Sequence, residues 1–196
     1  TGKALRKKFP RVSQGDYDFS SKRADPVSIL EAQGETRLPD LVPIRYARML
    51  TSPFAFLRGA AAIMTADLDA QGKTTGIQVQ ACGDMYVANF GIFASAERNI
   101  VFGINDFDET FPGPWEWDLK RLVTSAVVGC RFLGGNEKLC EESVLAAVKS
   151  YRKYMKEFAS MGNLELWYSR IDVSTVLNSL DPALHKRAQK IIDKAR

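Results

Sequence analysis

Apolar residues fall at 119, 122, 123, 126, 127 and 130 of WDLKRLVTSAVVGCRFL, every third or fourth position. That period predicts an amphipathic helix. Gly134-Gly135 breaks it, and Asn136 can cap a second helix, EKLCEESVLAAVKSYRKYMKEFASM. This one carries Val144, Val148, Tyr151, Met155 and Phe158 down one side, and Gly162 stops it. Upstream, FAFLRGAAAIMTADLDA is alanine-rich and apolar. It predicts one buried helix from near Pro53 to Gln71-Gly72. Asp25 as cap and Pro26 at the first helical position predict a short helix through VSILEAQ. VSTVLNSL and ALHKRAQKIIDKAR close the chain with helical spacing.

Two segments alternate instead. GIQVQAC (76–82) reads as a strand, and NIVFGIND (99–106) as another, with Ile100, Phe102 and Ile104 on one face. Between them lies a turn, CGDMYVANFG, followed by GIFASAER. The expected arrangement is a small hairpin whose two strands flank that turn.

Composition changes this picture little. The hydrophobic share is 45% and the charged share 26%, ordinary for a globular chain of 196 residues. No apolar run approaches the roughly 18–20 residues of a membrane span, and TGKALRKKFPR has no apolar leader core. The three cysteines, Cys82, Cys130 and Cys140, lack the tight spacing of a disulfide framework or a zinc site, and there is a single histidine, His185. A reducing, cytoplasmic setting is the default expectation, with no membrane partner. Charge is uneven. Residues 1–23 hold seven basic side chains against Asp16 and Asp18, so this segment is +5 while the whole chain is +4. Aromatic residues do not interleave with the basic ones as a stacking platform would need, so a solvated arm is preferred over a nucleic-acid-binding one.

The candidate chemistry is in the turn and the strand end after it. Asp84 and Asn89 sit five positions apart, and NDFDET (105–110) places Asp106, Asp108 and Glu109 directly after an apolar strand. Asp-x-x-x-x-Asn, then a strand, then Asp-Phe is the order of parts in kinase-type phosphotransferases. A hydroxyl nucleophile needs a carboxylate to orient it and take its proton, a role that fits Asp84. A magnesium ion bridging phosphates wants hard oxygen ligands, which Asn89, Asp106 and Asp108 can supply. Arg45, Arg48 and Arg58 could reach phosphate or, by slight preference, pair with the acids at 106–109. Cys82, at the end of an apolar strand, reads as a core residue.

CGDMYVANFG…VFGINDFDETFPGPWEWDLKRL, with LRKKFPR, RLPDLVPIRYARM and SPFAFLRGAAAIM, resembles the bacterial family known as domain of unknown function 2252. That family is in turn similar to aminoglycoside- and choline-kinase-like enzymes. The resemblance implies an α+β, protein kinase-like fold, represented mainly by its helical lobe with a small β-hairpin carrying the catalytic loop. Residues 1–40, polar and punctuated by Pro10, Pro26 and Pro39, read as a basic, weakly ordered arm, and the resemblance implies a catalytic lobe over 41–196. It assigns Asp84 as base, Asn89 and Asp106 as ligands of magnesium and ATP, and Asp118 of WEWDLKRL as a brace accepting backbone hydrogen bonds from the loop. The implied partners are a nucleotide and an unidentified acceptor. Two departures stand out. Tyr86 occupies the place where such enzymes often have histidine. The chain also lacks a Gly-x-Gly-x-x-Gly loop and a Val-Ala-Ile-Lys strand, so it is expected to be truncated relative to the full family. Two other readings compete. DFDET fits the nucleophile motif of haloacid-dehalogenase-like phosphatases, with Asp106 attacking and Asp108 as acid/base. Alternatively, the chain is a non-catalytic, kinase-like binding module.

Overall fold

The structure is a computed structural model that describes residues 2–18 and 23–195. In chain order its elements are α1 (Gly2–Lys8), α2 (Pro26–Gly34), α3 (Val42–Met49), α4 (Pro53–Gly59) and α5 (Ala61–Gln71). There follow β1 (Gln78–Ala81), β2 (Phe90–Ala94), β3 (Ile100–Ile104), β4 (Phe111–Pro114), α6 (Trp115–Phe132) and α7 (Glu137–Phe158). The last are α8 (Asn163–Trp167), β5 (Ile171–Asp172), α9 (Val173–Ser179) and α10 (Pro182–Ala195). The fold is α+β, dominated by helices, with small antiparallel sheets. It divides into two compact units. The first takes the chain through Val87 and then Phe107–Lys149; the second takes Ala88–Asp106 and the chain from Ser150 onward.

In the first unit the helices begin where the sequence supplies caps. The Asp25 carboxylate accepts a bond of 2.8 Å from the Ser28 N–H, and Pro26 opens α2 with its φ already suited to a helix. Ser52 Oγ accepts from the Ala55 N–H at 3.0 Å, ahead of Pro53. Gly72, at φ +58°, ends α5 in the left-handed conformation that glycine tolerates best. The single helix expected over 53–71 is instead two, broken at Ala60 (φ −113°, ψ 31°). The cause is tertiary. Arg45 Nη2 donates to the Gly59 carbonyl at 2.7 Å, and Gly59 lies so close to Met49 that a Cβ there would be 2.5 Å from the sulfur. Neither contact leaves a trace in local periodicity.

The expected hairpin is also corrected. β1 pairs antiparallel with β4, from Gln78 opposite Pro114 to Ala81 opposite Phe111. β3 belongs to a different sheet, in the order β2–β3–β5. Three strands went unread: β2, β4 and the two-residue β5. β4 contains Pro112 and Pro114, which look like a turn. Proline cannot donate to a ladder, but among the described residues β4 has a partner on one side only, so the missing N–H groups can face away from it. β2, FGIFA, straddles the boundary drawn between the turn CGDMYVANFG and the GIFASAER that follows it.

Helix α6 runs where periodicity placed it, but the positions 119, 122, 123, 126, 127 and 130 are only half-buried. Its buried face is Glu116, Arg121, Ser125 and Gly129. Gly129 admits the Phe54 ring, which an added Cβ would meet at 3.2 Å.

The second unit has its own core. Val173 and Leu177 of α9 and Ile192 of α10 are buried, with Ile100 of β3, Leu180 and Ala188 packed against them. In its sheet, Phe90 opposes Ile104, and the rings of Phe90 and Phe102 stack at 6.0 Å. His185 is half-buried, with Nδ1 2.9 Å from the Leu177 carbonyl oxygen.

Candidate functional site

The segment from Cys82 to Val87 is held by α6 at both ends. Asp118, in the first turn of α6, accepts two backbone bonds: from the Cys82 N–H at 2.7 Å and from the Gly83 N–H at 3.0 Å. Bonds to an ionised acceptor are about twice as strong as neutral ones. Two turns further along α6, Ser125 Oγ accepts from the Val87 N–H at 2.9 Å and donates to the Leu122 carbonyl at 2.7 Å. Ser125 has no exposed surface at all. Gly83 makes the sharp turn between these anchors. Its φ is +77°, and a Cβ there would lie 2.0 Å from the Glu109 carbonyl oxygen.

Asp84 stands next in the chain, and Arg121 is its ion-pair partner. The guanidinium Nε donates to Asp84 Oδ1 at 2.8 Å, and Nη2 makes a shorter contact with the same oxygen. Nη2 also donates to the Leu57 carbonyl at 2.8 Å. The Arg121 side chain is 3% exposed and that of Asp84 17%. A cation this deeply buried must be paired, because an isolated charge would cost several kcal/mol of lost hydration. Tyr86 completes the cluster. Its ring is buried, and the guanidinium carbons of Arg58 and Arg121 both lie 5.9 Å from its centroid, within cation–π range. Arg58 Nε donates to the phenol oxygen at 3.2 Å. The phenol that replaces the expected histidine is thus tied to arginines.

The second unit holds the other half of the motif. Asn89 is 4% exposed. Its Oδ1 accepts from the Asp106 N–H at 3.1 Å, its Nδ2 donates to the Asp106 carbonyl at 3.0 Å, and its own carbonyl accepts from the Asn105 N–H at 3.0 Å. The carboxamide mimics one more rung of the β2–β3 ladder, and this side-chain rung fixes the backbone of Asp106 just past the strand. Asp106 is exposed.

The proposed residues therefore fall as follows. Asp84, Asp108 and Asp118 belong to the first unit, Asn89 and Asp106 to the second. The structure brings Asn89 to Asp106, and Asp118 to the Gly83–Asp84 turn. Asp108 is exposed. Among the described residues, no three His, Cys, Asp or Glu side chains gather where a metal ion could be held. Cys82 is buried, in line with its reading as core. The arginine beside Glu109 is Arg37, at 3.8 Å. Arg45 bonds Gly59 and Arg58 bonds Tyr86.

Sequence reasoning passed over Arg121 and Ser125. The signal was available: Asp118, Arg121 and Ser125 follow at intervals of three and four, a polar stripe inside an apolar helix. It also passed over Glu116, 2% exposed, whose Oε1 accepts from the Thr75 N–H at 2.7 Å. Lys120 lies one turn on. Loss of hydration pushes its pKa below the ordinary lysine value, against the opposing pull of Glu116.

A family model described as an uncharacterized protein conserved in bacteria (DUF2252) matches residues 37–196. No curated protein and no solved structure matches the chain.

Proposed function

Because the chain belongs to the DUF2252 family of uncharacterized bacterial proteins, whose motifs have the order of a kinase catalytic loop, we propose that it is a kinase-like phosphotransferase, moving a phosphoryl group from ATP to an acceptor with magnesium. The observation that carries this reading is the double hydrogen bond from the Cys82 and Gly83 N–H groups to Asp118. It fixes the turn that presents Asp84, and a fixed base is what acid–base catalysis requires. In this reading Asp84 orients the acceptor hydroxyl and takes its proton, and Arg121 sets the direction of the carboxylate through Oδ1. Asn89 and Asp106 would hold magnesium. They are oxygen donors of the hard type this ion prefers, and the Asn89 side chain bonds the backbone of Asp106, which is exposed. The ion would neutralise phosphate charge. The kinase-like fold is part of the same proposal.

Two observations bear on the alternatives. Every strand pairing among the described residues is antiparallel, which does not suit the parallel sheet of a dehalogenase-like phosphatase. The ion pair between Asp84 and Arg121 favours a non-catalytic module, since a base already engaged by a buried cation has a structural use.

The test is ATP turnover and phosphate transfer in magnesium buffer for the wild type, Asp84→Asn and Asp106→Asn. The proposal expects activity in the wild type and a loss of at least roughly 100-fold in both variants, the scale of removing a positioned base or charge-stabilising group. Equal rates in all three would overturn it. A wild type with neither turnover nor a magnesium-dependent shift in melting temperature would point to the binding module.

A further inference from the structure

Helices α6 and α7 are joined by a tight turn with several ties. Gly134 takes φ +82°, and the Gly135 N–H donates to the Cys130 carbonyl at 2.9 Å. Asn136 Oδ1 caps α7 by accepting from the Leu139 N–H at 2.9 Å. Arg131 and Glu137 pair through two bonds of 2.8 and 2.9 Å. The consequence is that the last turn of α6 meets the first turn of α7, which sets the Cys130 thiol beside that of Cys140. Cys140 is 2% exposed, with its sulfur 3.9 Å from the Val127 carbonyl oxygen. Cys130 is half-buried, so reagents can reach it. Its sulfur is pressed under the turn: a Cβ on Gly135 would come within 2.3 Å of it.

We propose that Cys130 and Cys140 form a dithiol site that takes a two-electron oxidant of the hydroperoxide class and closes to a disulfide pinning α6 to α7. In the first step the Cys130 thiolate attacks the peroxide. An S–O bond forms, the O–O bond breaks, and water or an alcohol leaves. In the second step the Cys140 sulfur attacks Cys130. The S–S bond forms, the S–O bond breaks, and water leaves with the Cys140 proton. Both sulfurs are oxidised, and the peroxide is reduced. The order follows from access, because of the two only Cys130 reaches solvent, and the resolving thiol lies beside it. Beside the Cys140 sulfur, which can accept its proton, the Cys130 thiol is held above the ordinary cysteine value. Its thiolate is therefore scarce at neutral pH, and the pair stays reduced until the oxidant is abundant. Cys82, buried at the end of β1, serves as an internal control.

The test is hydrogen peroxide treatment of the native protein, followed by alkylation and peptide mapping. The expected product is a peptide pair joined through Cys130 and Cys140, two hydrogens lighter than the reduced pair, with Cys82 still alkylatable. In Cys130→Ser, Cys140 stays a thiol. Equilibration in glutathione buffers gives a second measure that needs no variant. The disulfide should form with an equilibrium constant roughly 100-fold larger in native buffer than in urea, the scale by which closing so short a loop favours a fold that already holds its ends together. Three alkylatable thiols after peroxide, or sulfinic acid at Cys130 beside an unchanged Cys140, would overturn the proposal. So would equal constants in the two solvents.

Discussion

Replacing Arg121 by methionine keeps much of the side-chain volume and removes the charge. The structure sets the cost. Asp84 loses the cation that contacts Oδ1, and the Leu57 carbonyl loses a donor at 2.8 Å. Removing one member of a buried pair typically costs 3–5 kcal/mol. Asp84 retains 17% exposure, so water can partly repair its loss, which puts Arg121→Met near the bottom of that range, at about 3 kcal/mol. Asp84→Asn keeps an acceptor for Arg121 but not the charge, and should cost about 2 kcal/mol. The double variant leaves neither an orphan cation nor an orphan anion. It should be less destabilised than the sum of the two, by about 2 kcal/mol of coupling. Urea unfolding measures this, followed by tryptophan fluorescence, with Trp115 and Trp117 reporting from α6, and by far-UV circular dichroism. If Arg121→Met stayed within about 0.5 kcal/mol of the wild type, or if the costs simply added, the pair would not be what holds this loop.

Three smaller perturbations probe the same framework. Gly83→Ala forces a Cβ to within 2.0 Å of the Glu109 carbonyl oxygen at a φ of +77°. It should cost at least about 2 kcal/mol in the same unfolding assay, and a neutral result would show that the turn can relax. Ser52→Ala removes the cap of α4 and should cost about 1 kcal/mol, whereas Ser52→Asp should preserve stability. The Lys120 pKa is lowered by burial, so between its lowered value and the ordinary 10.5 the unfolded chain binds more protons than the folded one. Stability should then rise with pH across that window, and Lys120→Met should flatten the rise, as read from melting temperatures at stepped pH.

What the sequence showed depended on whether the cause was local. The start of α2 was legible because Asp25 and Pro26 act within one turn, and the end of α5 because Gly72 needs no distant partner. The lengths of α6 and α7 followed from periodicity. The break at Ala60 was not legible, because Arg45 and Met49 impose it from another helix. β4 was hidden by prolines that are tolerable only in a strand paired on one side. For the candidate site, the motif pointed to Asp84, Asn89, Asp106 and Asp118 but not to how Asp84 and Asn89 are engaged. Apolar periodicity counts grease, and the inward face of α6 is polar. Arg121 can be buried only because Asp84 and Leu57 wait for it, a fact about partners 37 and 64 positions away.

That polar inward face has a mechanical consequence. Oily contacts are interchangeable, so two helices joined by them can slip or roll at small cost. Asp118, Arg121 and Ser125 are not interchangeable: one receives two amide hydrogens, one offers a cation, and one both takes and gives through a hydroxyl. Turning α6 by one residue about its axis would present each partner with the wrong chemistry. The helix therefore works as a keyed shaft with a single seating, and any motion of the Cys82–Val87 loop must carry α6 along with it.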